Sequence, residues 1–306
     1  MVKSVGFGAI LWDDIPAVDD GNGGRSCAQN IGGSVFNVLV HLREFGHEAY
    51  MVSALGDDEL GARTFDTIEK MGVRSDYIAV VPEETCLVKV TFDQVGSPHY
   101  SAPEVASWDN ITLSEERFAS LRQQTFDYLV YGTLEQRDPR SRATLQRVLA
   151  EVAFRNIYVD LTLRKFYSKE LLEQTMRRAT ILKMNDEEAM EVNRLFGFNE
   201  TRMEMLVKRL AREFGNQIAC ITAGEKGAYI GDSTFAERSP AYKTTVCDTV
   251  GCGDAFSAAF IAKHSQGAPL TECCDHGNRF AALIASKRSS CPDYDISEVE
   301  HYVERA

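Results

Sequence analysis

The stretch of this sequence with the clearest chemical potential is DTVGCGDAFSAAF, residues 248–260. Gly251 and Gly253 flank Cys252, Asp254 follows at once, and a run of small and apolar residues typical of a helix then begins. The first turn of a helix presents unpaired N–H groups and a partial positive charge, which attract anions. The glycines would free the backbone to wrap an oxyanion, and the carboxylate could accept the proton of an attacking hydroxyl. This combination indicates phosphoryl transfer, whereas the plain alternative is that Asp254 only complements the helix dipole.

The cysteine between the two glycines admits two interpretations. The helix dipole that attracts phosphate should also favour the thiolate of Cys252, which would make this side chain reactive. The alternative is a neutral thiol directed into the core, because small buried cysteines are usually inert.

Two further motifs suit a nucleotide and its metal ion. In NDEE, Asn185 and Glu188 have the spacing of a helix capping box, and such an amide and carboxylate can also order the waters around Mg²⁺. In TAGEKGAYI, which begins at Thr222, Gly224 and Gly227 would let backbone amides approach a nucleotide without a Cβ in the way. The alternative for that segment is a tight turn between two strands.

The N-terminal part of the chain carries groups suited to a small polar ligand. In NIGGSVFN, Gly32 and Gly33 precede a predicted amphipathic helix, and Asn37 would project from its first turn. Paired glycines permit close approach of a ligand, although glycine before a helix is also common for structural reasons. Asp13 suits a turn, or a carboxylate that accepts hydrogen bonds from sugar hydroxyls.

Elements of alternating type must position these groups. From about residue 120, apolar runs typical of strands alternate with stretches of helical spacing. The strand-like runs are FDYLVYG, RNIYVDL, ATILKM and QIACIT, with SVGFGAIL and AYMVSALG earlier in the chain. This order predicts an α/β fold with a mainly parallel central sheet and helices on both faces. Arg164, Asn185 and Thr222 each follow the end of a strand-like run, and that edge is where open α/β sheets bind ligands.

One region departs from this alternation. Residues 84–102 alternate polar and apolar side chains around a glycine-containing turn, which predicts a β-hairpin. Residues 13–30 are polar and rich in glycine, with no helical period. We expect these segments to form a small β lid, contributed by about 13–31 and 84–106, on a single domain spanning 1–306.

Composition excludes several classes of protein. The net charge of −12, with no basic run, disfavours nucleic acid as a partner. No run of ~18 apolar residues appears, so no membrane span is expected, and no signal peptide is evident. The eight cysteines form no C-x-x-C pair and fit free thiols in a reducing compartment. We therefore expect a cytoplasmic protein.

Taken together, these motifs resemble the ribokinase/PfkB family of carbohydrate kinases over nearly the whole chain. DTVGCGDAF matches the family signature D-T-x-G-x-G-D, and GGSVFNVLVHLREFG with SALGDDELG matches its N-terminal signature. NDEE and TAGEKG match its N-x-x-E motif and nucleotide turn. GAILWDDIP, ASWDNI and LRKFYSKELL are most similar to bacterial fructokinase-type members. The resemblance implies a ribokinase-like fold and transfer of the γ-phosphate of ATP to a sugar hydroxyl.

The resemblance also implies a role for each matched residue. Asp254 would be the catalytic base. The anion hole would be formed by Gly251, Cys252 and Gly253. The sugar contacts would be Asp13, Gly32, Gly33, Asn37 and Arg164. Mg²⁺ and phosphate would be organised by Asn185 and Glu188, and the nucleotide site lined by Thr222, Gly224, Gly227 and Asn278. A monovalent cation such as K⁺ would bind Asp248 and the Val250 carbonyl, and the family allows a homodimer through the β lid.

Some positions depart from the fructokinase pattern. Thr162 stands where an asparagine is usual, GSVFN replaces G-A-P-A-N, and SKRSSCPD replaces R-x-G-A. Phe36 is bulkier than the usual alanine, and beside the sugar-binding glycines it would narrow the pocket. A kinase for another sugar or for a nucleoside therefore remains an alternative.

Two other classes are disfavoured. A non-catalytic sugar-binding member would not need the intact Asp254 and both loop glycines. A Rossmann-type dehydrogenase, suggested by GFGAIL, would need a third glycine and an acidic residue about twenty positions further on, and neither is found.

Overall fold

The computed structural model describes residues 1–15, 28–92, 98–163 and 167–302 of the chain. The strands are β1 (Lys3–Phe7), β2 (Leu11–Ile15), β3 (Ala28–Gly32), β4 (Glu48–Gly56), β5 (Arg74–Val81), β6 (Cys86–Phe92), β7 (Pro98–Ser101), β8 (Thr125–Tyr131), β9 (Ala153–Asp160), β10 (Ile181–Asn185), β11 (Ile218–Thr222), β12 (Ala228–Gly231) and β13 (Ala236–Ser239). The α-helices are α1 (Ser34–Glu44), α2 (Glu59–Lys70), α3 (Glu115–Arg122), α4 (Pro139–Glu151), α5 (Lys169–Arg178), α6 (Asp186–Phe196), α7 (Met203–Phe214), α8 (Cys252–Ser265), α9 (Leu270–Ala285) and α10 (Ile296–His301). Short 3₁₀ helices span Ser107–Asn110, Leu134–Arg137 and Gly224–Lys226.

Nine strands form the main sheet, in the order β13-β12-β11-β10-β9-β8-β1-β4-β5. Every neighbouring pair from β11 to β5 is parallel, and only β12 and β13 add to the edge in antiparallel fashion. The predicted mainly parallel sheet is therefore confirmed, and each strand-like run of the sequence lies on one of its strands. The carboxyl ends of the parallel strands consequently share one edge.

Helices cover both faces of this sheet, as predicted. On one face, α3 to α7 contribute apolar side chains to a core that includes Phe118, Leu145 and Leu206. On the other face, α1, α2, α8 and α9 contribute to a second core, for example through Val38 and Phe256. Neighbouring strand residues alternate between the two cores because successive side chains of a strand point to opposite faces.

A second, smaller sheet has the strand order β3-β2-β6-β7. Strands β6 and β7 pair in antiparallel fashion, which confirms the hairpin predicted for residues 84–102. The glycine-rich stretch contributes β2 and β3, which also pair in antiparallel fashion, while its middle part, 16–27, lies outside the described residues. That this sheet acts as a lid on a single domain stays a prediction.

A largely buried ion pair joins the 3₁₀ helix Ser107–Asn110, which follows β7, to the 3₁₀ helix Leu134–Arg137, which follows β8. Arg137 donates to both carboxylate oxygens of Asp109, at 2.7 Å from Nε and 2.6 Å from Nη2. Its guanidinium carbon lies 3.9 Å from the centroid of a Trp108 ring. Bidentate geometry with stacking is the arrangement in which arginine is hard to replace.

The described cysteines are all free thiols, and among the same residues no helix is long and apolar enough to cross a membrane.

The turn from β3 into α1 depends on a glycine. Gly33 is the N-cap of α1 and has φ of 123°. A Cβ there would lie 2.2 Å from the carbonyl oxygen of Ala9, which is backbone and cannot rotate away. Close packing against the segment that follows β1 therefore requires glycine at this position.

We expect Gly33→Ala to destabilise the protein far more than Gly46→Ala. Gly46 also has a positive φ, 85°, but a Cβ there meets nothing within 4 Å, so only backbone strain of about 1–2 kcal/mol is expected. Gly33→Ala adds the clash with Ala9, and we expect a total loss of about 3 kcal/mol or more. Urea unfolding of both variants measures the difference, and equal losses of unfolding free energy would contradict this account.

Candidate active site

The carboxylate of Asp254 lies where helices α8 and α1 begin side by side. Its Oδ1 accepts a hydrogen bond from the Ser34 hydroxyl at 2.6 Å, and its Oδ2 accepts one from Asn37 Nδ2 at 2.8 Å. Asp254 is half-buried, and Asn37 is buried. Both oxygens are thus held by the first turn of α1, which fixes the orientation of the carboxylate.

The environment of Asp254 shifts its pKa into a useful range. Burial raises the pKa to about 6, with a smaller contribution from the Asp160 carboxylate, while the hydrogen bonds from Ser34 and Asn37 and the charge of Lys183 lower it. A carboxylate with this pKa is ionised at neutral pH and is a stronger base than an ordinary aspartate.

Glycine is favoured at positions 251 and 253 for different structural reasons. Gly251 is the N-cap of α8 with φ of 80°, and a Cβ there would lie 2.6 Å from Cα and Cβ of Ser290. A Cβ on Gly253 would lie 3.1 Å from the Nζ of Lys183. The loop is therefore packed from below by two other parts of the chain, and its N–H groups at the start of α8 have no helical partner.

Cys252 corresponds to the neutral-thiol interpretation. Burial, then the carboxylates of Asp248 and Asp254, raise the pKa of its thiol to about 11. Its side chain packs against the apolar cluster around Phe280. Desolvation and two nearby negative charges oppose the effect of the helix dipole on this thiol, so we carry the neutral thiol forward as the prediction to be tested.

Asn185 and Glu188 form the predicted capping box. Asn185 Oδ1 accepts from the Glu188 N–H at 2.8 Å, and Glu188 Oε2 accepts from the Asn185 N–H at 2.9 Å. Glu188 Oε1 accepts a further hydrogen bond from the Leu163 N–H at 3.0 Å. Burial raises the pKa of Glu188, partly opposed by the hydrogen bond from Asn185. Each carboxylate oxygen retains a lone pair for a cation or water.

The predicted nucleotide residues occupy the ends of β11 and the loop beyond it. Thr222 pairs in register with Asn185 on the neighbouring strand. Gly224 begins the 3₁₀ helix and Gly227 follows its end, with φ of 52° and 88°, and a Cβ on Gly227 would lie 2.1 Å from the Ser239 carbonyl oxygen. Asn278 is buried in α9, where its Nδ2 donates to that same carbonyl at 3.1 Å. Asn278 therefore holds the protein's own backbone in place at this end of the site.

The residues predicted to bind sugar and a monovalent cation lie close to one another. Asp13 Oδ2 lies 3.7 Å from the Cβ position of Gly32. Burial, and then the charge of Asp248, raise the pKa of Asp13. Asp248 Oδ1 accepts from the Val250 N–H at 3.0 Å, and the Asp248 carbonyl lies 3.9 Å from the Cys252 sulfur. The predicted sugar and cation residues thus adjoin the start of α8.

The sequence also raised expectations about Phe36 and Arg164 at the sugar pocket. Phe36 is fully buried in the core beneath α1, so its bulk does not narrow the pocket as expected. Arg164 lies outside the described residues.

Sequence reasoning missed Ser34, Asp160 and Lys183. Ser34 gives no signal beyond its place directly after the paired glycines. The other two were detectable, since each is a lone charge inside an apolar strand run, IYVDL and ILKM. The sheet register places Asp160 and Lys183 opposite each other on β9 and β10.

Comparison with known proteins identifies the family. The model for the pfkB family of carbohydrate kinases matches residues 3–296. The chain belongs to this family. It is therefore an enzyme, a phosphotransferase that uses ATP and has an alcohol group as acceptor, and its motifs carry the family's signatures.

Individual relatives carry several substrate names. The chain is 24% identical over 301 residues to an ATP-dependent ribose-1-phosphate kinase of Halopiger xanaduensis, covering 95% of this chain and 94% of that one. It is 25% identical over 288 residues to a 5-dehydro-2-deoxygluconokinase of Halalkalibacterium halodurans, covering 90% and 86%. A fructokinase double mutant of Vibrio cholerae, solved with fructose, ADP and a potassium ion, superposes with a TM-score of 0.80 at 19% identity over 99% of both chains. The last comparison confirms the ribokinase-like fold.

The pKa of Asp254 predicts the pH dependence of turnover. A base must be ionised, so kcat/KM should fall about tenfold per pH unit as pH drops below about 6. Because the Ser34 hydroxyl lowers this pKa, Ser34→Ala should move the acidic limb to higher pH and cost about a few-fold in kcat/KM at pH 6. Ser114→Ala, which removes the N-cap hydroxyl of α3, should leave the limb in place. An unmoved limb in Ser34→Ala would contradict this assignment.

The raised pKa of Cys252 predicts slow alkylation. Iodoacetamide at pH 7.5 should label the exposed Cys247 well before Cys252, by about tenfold or more, because the neutral thiol is not the nucleophile. Peptide mapping at successive times measures both. Labelling of Cys252 at the rate of Cys247 would show that the thiolate is present.

Proposed function

We propose that this kinase transfers the γ-phosphate of ATP to a hydroxyl of a monosaccharide, with Asp254 as the catalytic base. The observation that carries the proposal is the carboxylate at the start of α8, held on both oxygens by Ser34 and Asn37 and with its pKa raised to about 6. Asp254 lies at the N-terminus of α8, whose N–H groups suit an anion, and next to Asp13 and Asn37, whose side chains suit sugar hydroxyl groups.

The roles follow from this arrangement. The acceptor hydroxyl lies between Asp254 and the sugar residues Asp13 and Asn37, and Asp254 accepts its proton as the bond to phosphorus forms. The N–H groups at the start of α8 stabilise the charge on the transferring phosphoryl group. Because this transition state is loose, the proton moves late, and a base of pKa about 6 suffices.

Two cations fit the donors that the chain provides. Among the described residues no cluster of three or more His, Cys, Asp or Glu side chains could hold a metal by itself, so Mg²⁺ would depend on phosphate and water in addition to Glu188 and Asn185. When bound, Mg²⁺ would neutralise phosphate charge. A carboxylate and a backbone carbonyl, from Asp248 and Val250, are hard oxygen donors that suit K⁺. The fructokinase solved with a potassium ion supports a search for K⁺ dependence.

Fructose is the first choice of acceptor. The fructokinase-type segments of the sequence favour it, and the burial of Phe36 removes the steric objection. The relatives named for ribose 1-phosphate and 5-dehydro-2-deoxygluconate make a pentose phosphate and a sugar acid necessary members of any substrate panel.

The decisive experiment is a coupled ADP-release assay over hexoses, pentoses, their phosphates, sugar acids and nucleosides. We expect sugar-dependent turnover, highest with fructose, that falls by about 10²–10⁴ in Asp254→Asn with nucleotide affinity nearly unchanged. Asp66→Asn, at a solvent-facing position of α2, serves as a matched control. Near wild-type turnover of Asp254→Asn would rule out the base, and activity confined to nucleosides would rule out the sugar.

A further inference from the structure

A buried ion pair lies directly beneath the loop that begins α8. Lys183 Nζ donates to both carboxylate oxygens of Asp160, at 3.0 and 2.8 Å. Both side chains are largely buried, with 6% and 9% of their surface exposed. The sheet register presents them to each other, since Lys183 on β10 is paired with Asp160 on β9.

Stability alone does not account for this pair. Well-packed apolar side chains in place of a buried ion pair are often neutral or stabilising, because desolvation of two charges offsets their attraction. The position also opposes the helix dipole, because an ammonium group at the N-terminus of α8 adds positive charge to the positive end. Both costs would be offset if an anion bound on the other side of the loop.

The pair is connected to that loop through one peptide group. The Gly253 carbonyl accepts from the Ser257 hydroxyl at 2.9 Å and lies 3.5 Å from Lys183 Nζ. The same hydroxyl also donates to Asp160 Oδ2 at 3.1 Å. In a planar trans peptide the C=O of Gly253 and the N–H of Asp254 point in opposite directions. Because this peptide lies in the first turn of α8, the Asp254 N–H points toward the N-terminal end of the helix, where an anion would bind. The contacts of the Gly253 carbonyl with Lys183 and Ser257 hold the peptide in that orientation.

We propose that Lys183, held by Asp160, is a positioning residue of the phosphoryl-transfer site. It fixes the Gly253–Asp254 peptide and places a positive charge beneath the transferring group. This inference rests on the proposed function of Asp254, since it assigns a role to the ion pair of Lys183 and Asp160 beneath the same site.

The charges of Lys183 and Asp160 also affect the pKa of Asp254, the proposed base. Lys183 lowers the pKa of Asp254 and Asp160 raises it, while Ser34 and Asn37 lower it from the side of α1. Among the residues that the structure describes, the thiols of Cys252 and Cys291 also interact with the carboxylate, and their pKa values of about 11 and 12 keep them neutral across the working range. Changes at the ion pair should therefore appear in the acidic limb of the pH profile.

The test compares Lys183→Met, Asp160→Asn and the double variant in sugar-dependent turnover. We expect Lys183→Met to lower kcat by about 10²-fold with KM for ATP changed by less than about threefold, and to move the acidic limb to higher pH. Asp160→Asn should lower kcat less and move the limb to lower pH. The double variant should keep the low kcat of Lys183→Met, with its limb near that of the wild type.

A second buried ion pair supplies the control for loss of stability. Arg137→Met with Asp109→Asn removes the pair beside Trp108, which should lower the thermal midpoint but leave kcat within about threefold and the acidic limb unmoved. If Lys183→Met leaves Asp160 unpaired and does not fold, the double variant, which buries no net charge, carries the test.

The outcomes separate the two proposals. A folded double variant with kcat within threefold of the wild type, an unmoved limb in Asp160→Asn, or an equal loss of kcat in the control pair would overturn the role of Lys183. Should Asp254→Asn be inactive while these variants are normal, the base stands and only this inference fails. Should Asp254→Asn remain active, the proposed function itself fails.

Discussion

The contact of Asp254 with the first turn of α1 is the interaction on which the rest of the site depends. Helices α1 and α8 pack on the same face of the main sheet and share one apolar core. Their starts therefore meet at the carboxyl edge of the parallel strands, and Ser34 and Asn37 reach the carboxylate across the gap. The orientation of the Asp254 carboxylate, the proposed base, is set by core packing, which is more rigid than a loop and can hold a side chain to a fraction of an ångström.

The site is negatively charged, although its expected ligand, ATP, is also negatively charged. The protein carries a net charge of −12, and Asp13, Asp248 and Asp254 concentrate negative charge around the start of α8, where we propose that the phosphoryl group is transferred. Binding of polyphosphate here must depend on local donors, namely helix N–H groups and the buried Lys183, together with cations that arrive with the substrate. We expect such a site to be selective for its ligand, because each donor can bind a phosphate oxygen only in one position.

Much of this arrangement could be predicted from the sequence, and the limits are physical. Regular alternation of strand and helix patterns predicted the sheet, because period and length are local properties. The start of a helix at the glycines before Asp254 was predicted for the same reason, and the anion site there stays a prediction. Contacts between distant segments were not predictable, because local sequence specifies neither how two helices pack nor the register of strands far apart in the chain. Examples are Ser34 with Asp254, on α1 and α8, and Asp160 with Lys183, on β9 and β10. For Cys252 the sequence left the thiolate and the neutral thiol as alternatives, because the helix dipole is evident from a sequence whereas the extent of desolvation is not.

The site also draws on a segment far along the chain from α1. Ser290 and Cys291 bring their side chains to Asn37, and His41 reaches the Ser290 carbonyl, across 249 to 254 positions of sequence. During synthesis the first helix leaves the ribosome long before residue 290 exists. A nascent chain can form much of its sheet early, yet Asn37 lacks these neighbours until residue 291 has emerged. The reactive centre is therefore assembled late, after the strands of the main sheet have been made, so a partly made chain would have little opportunity to consume ATP without a product.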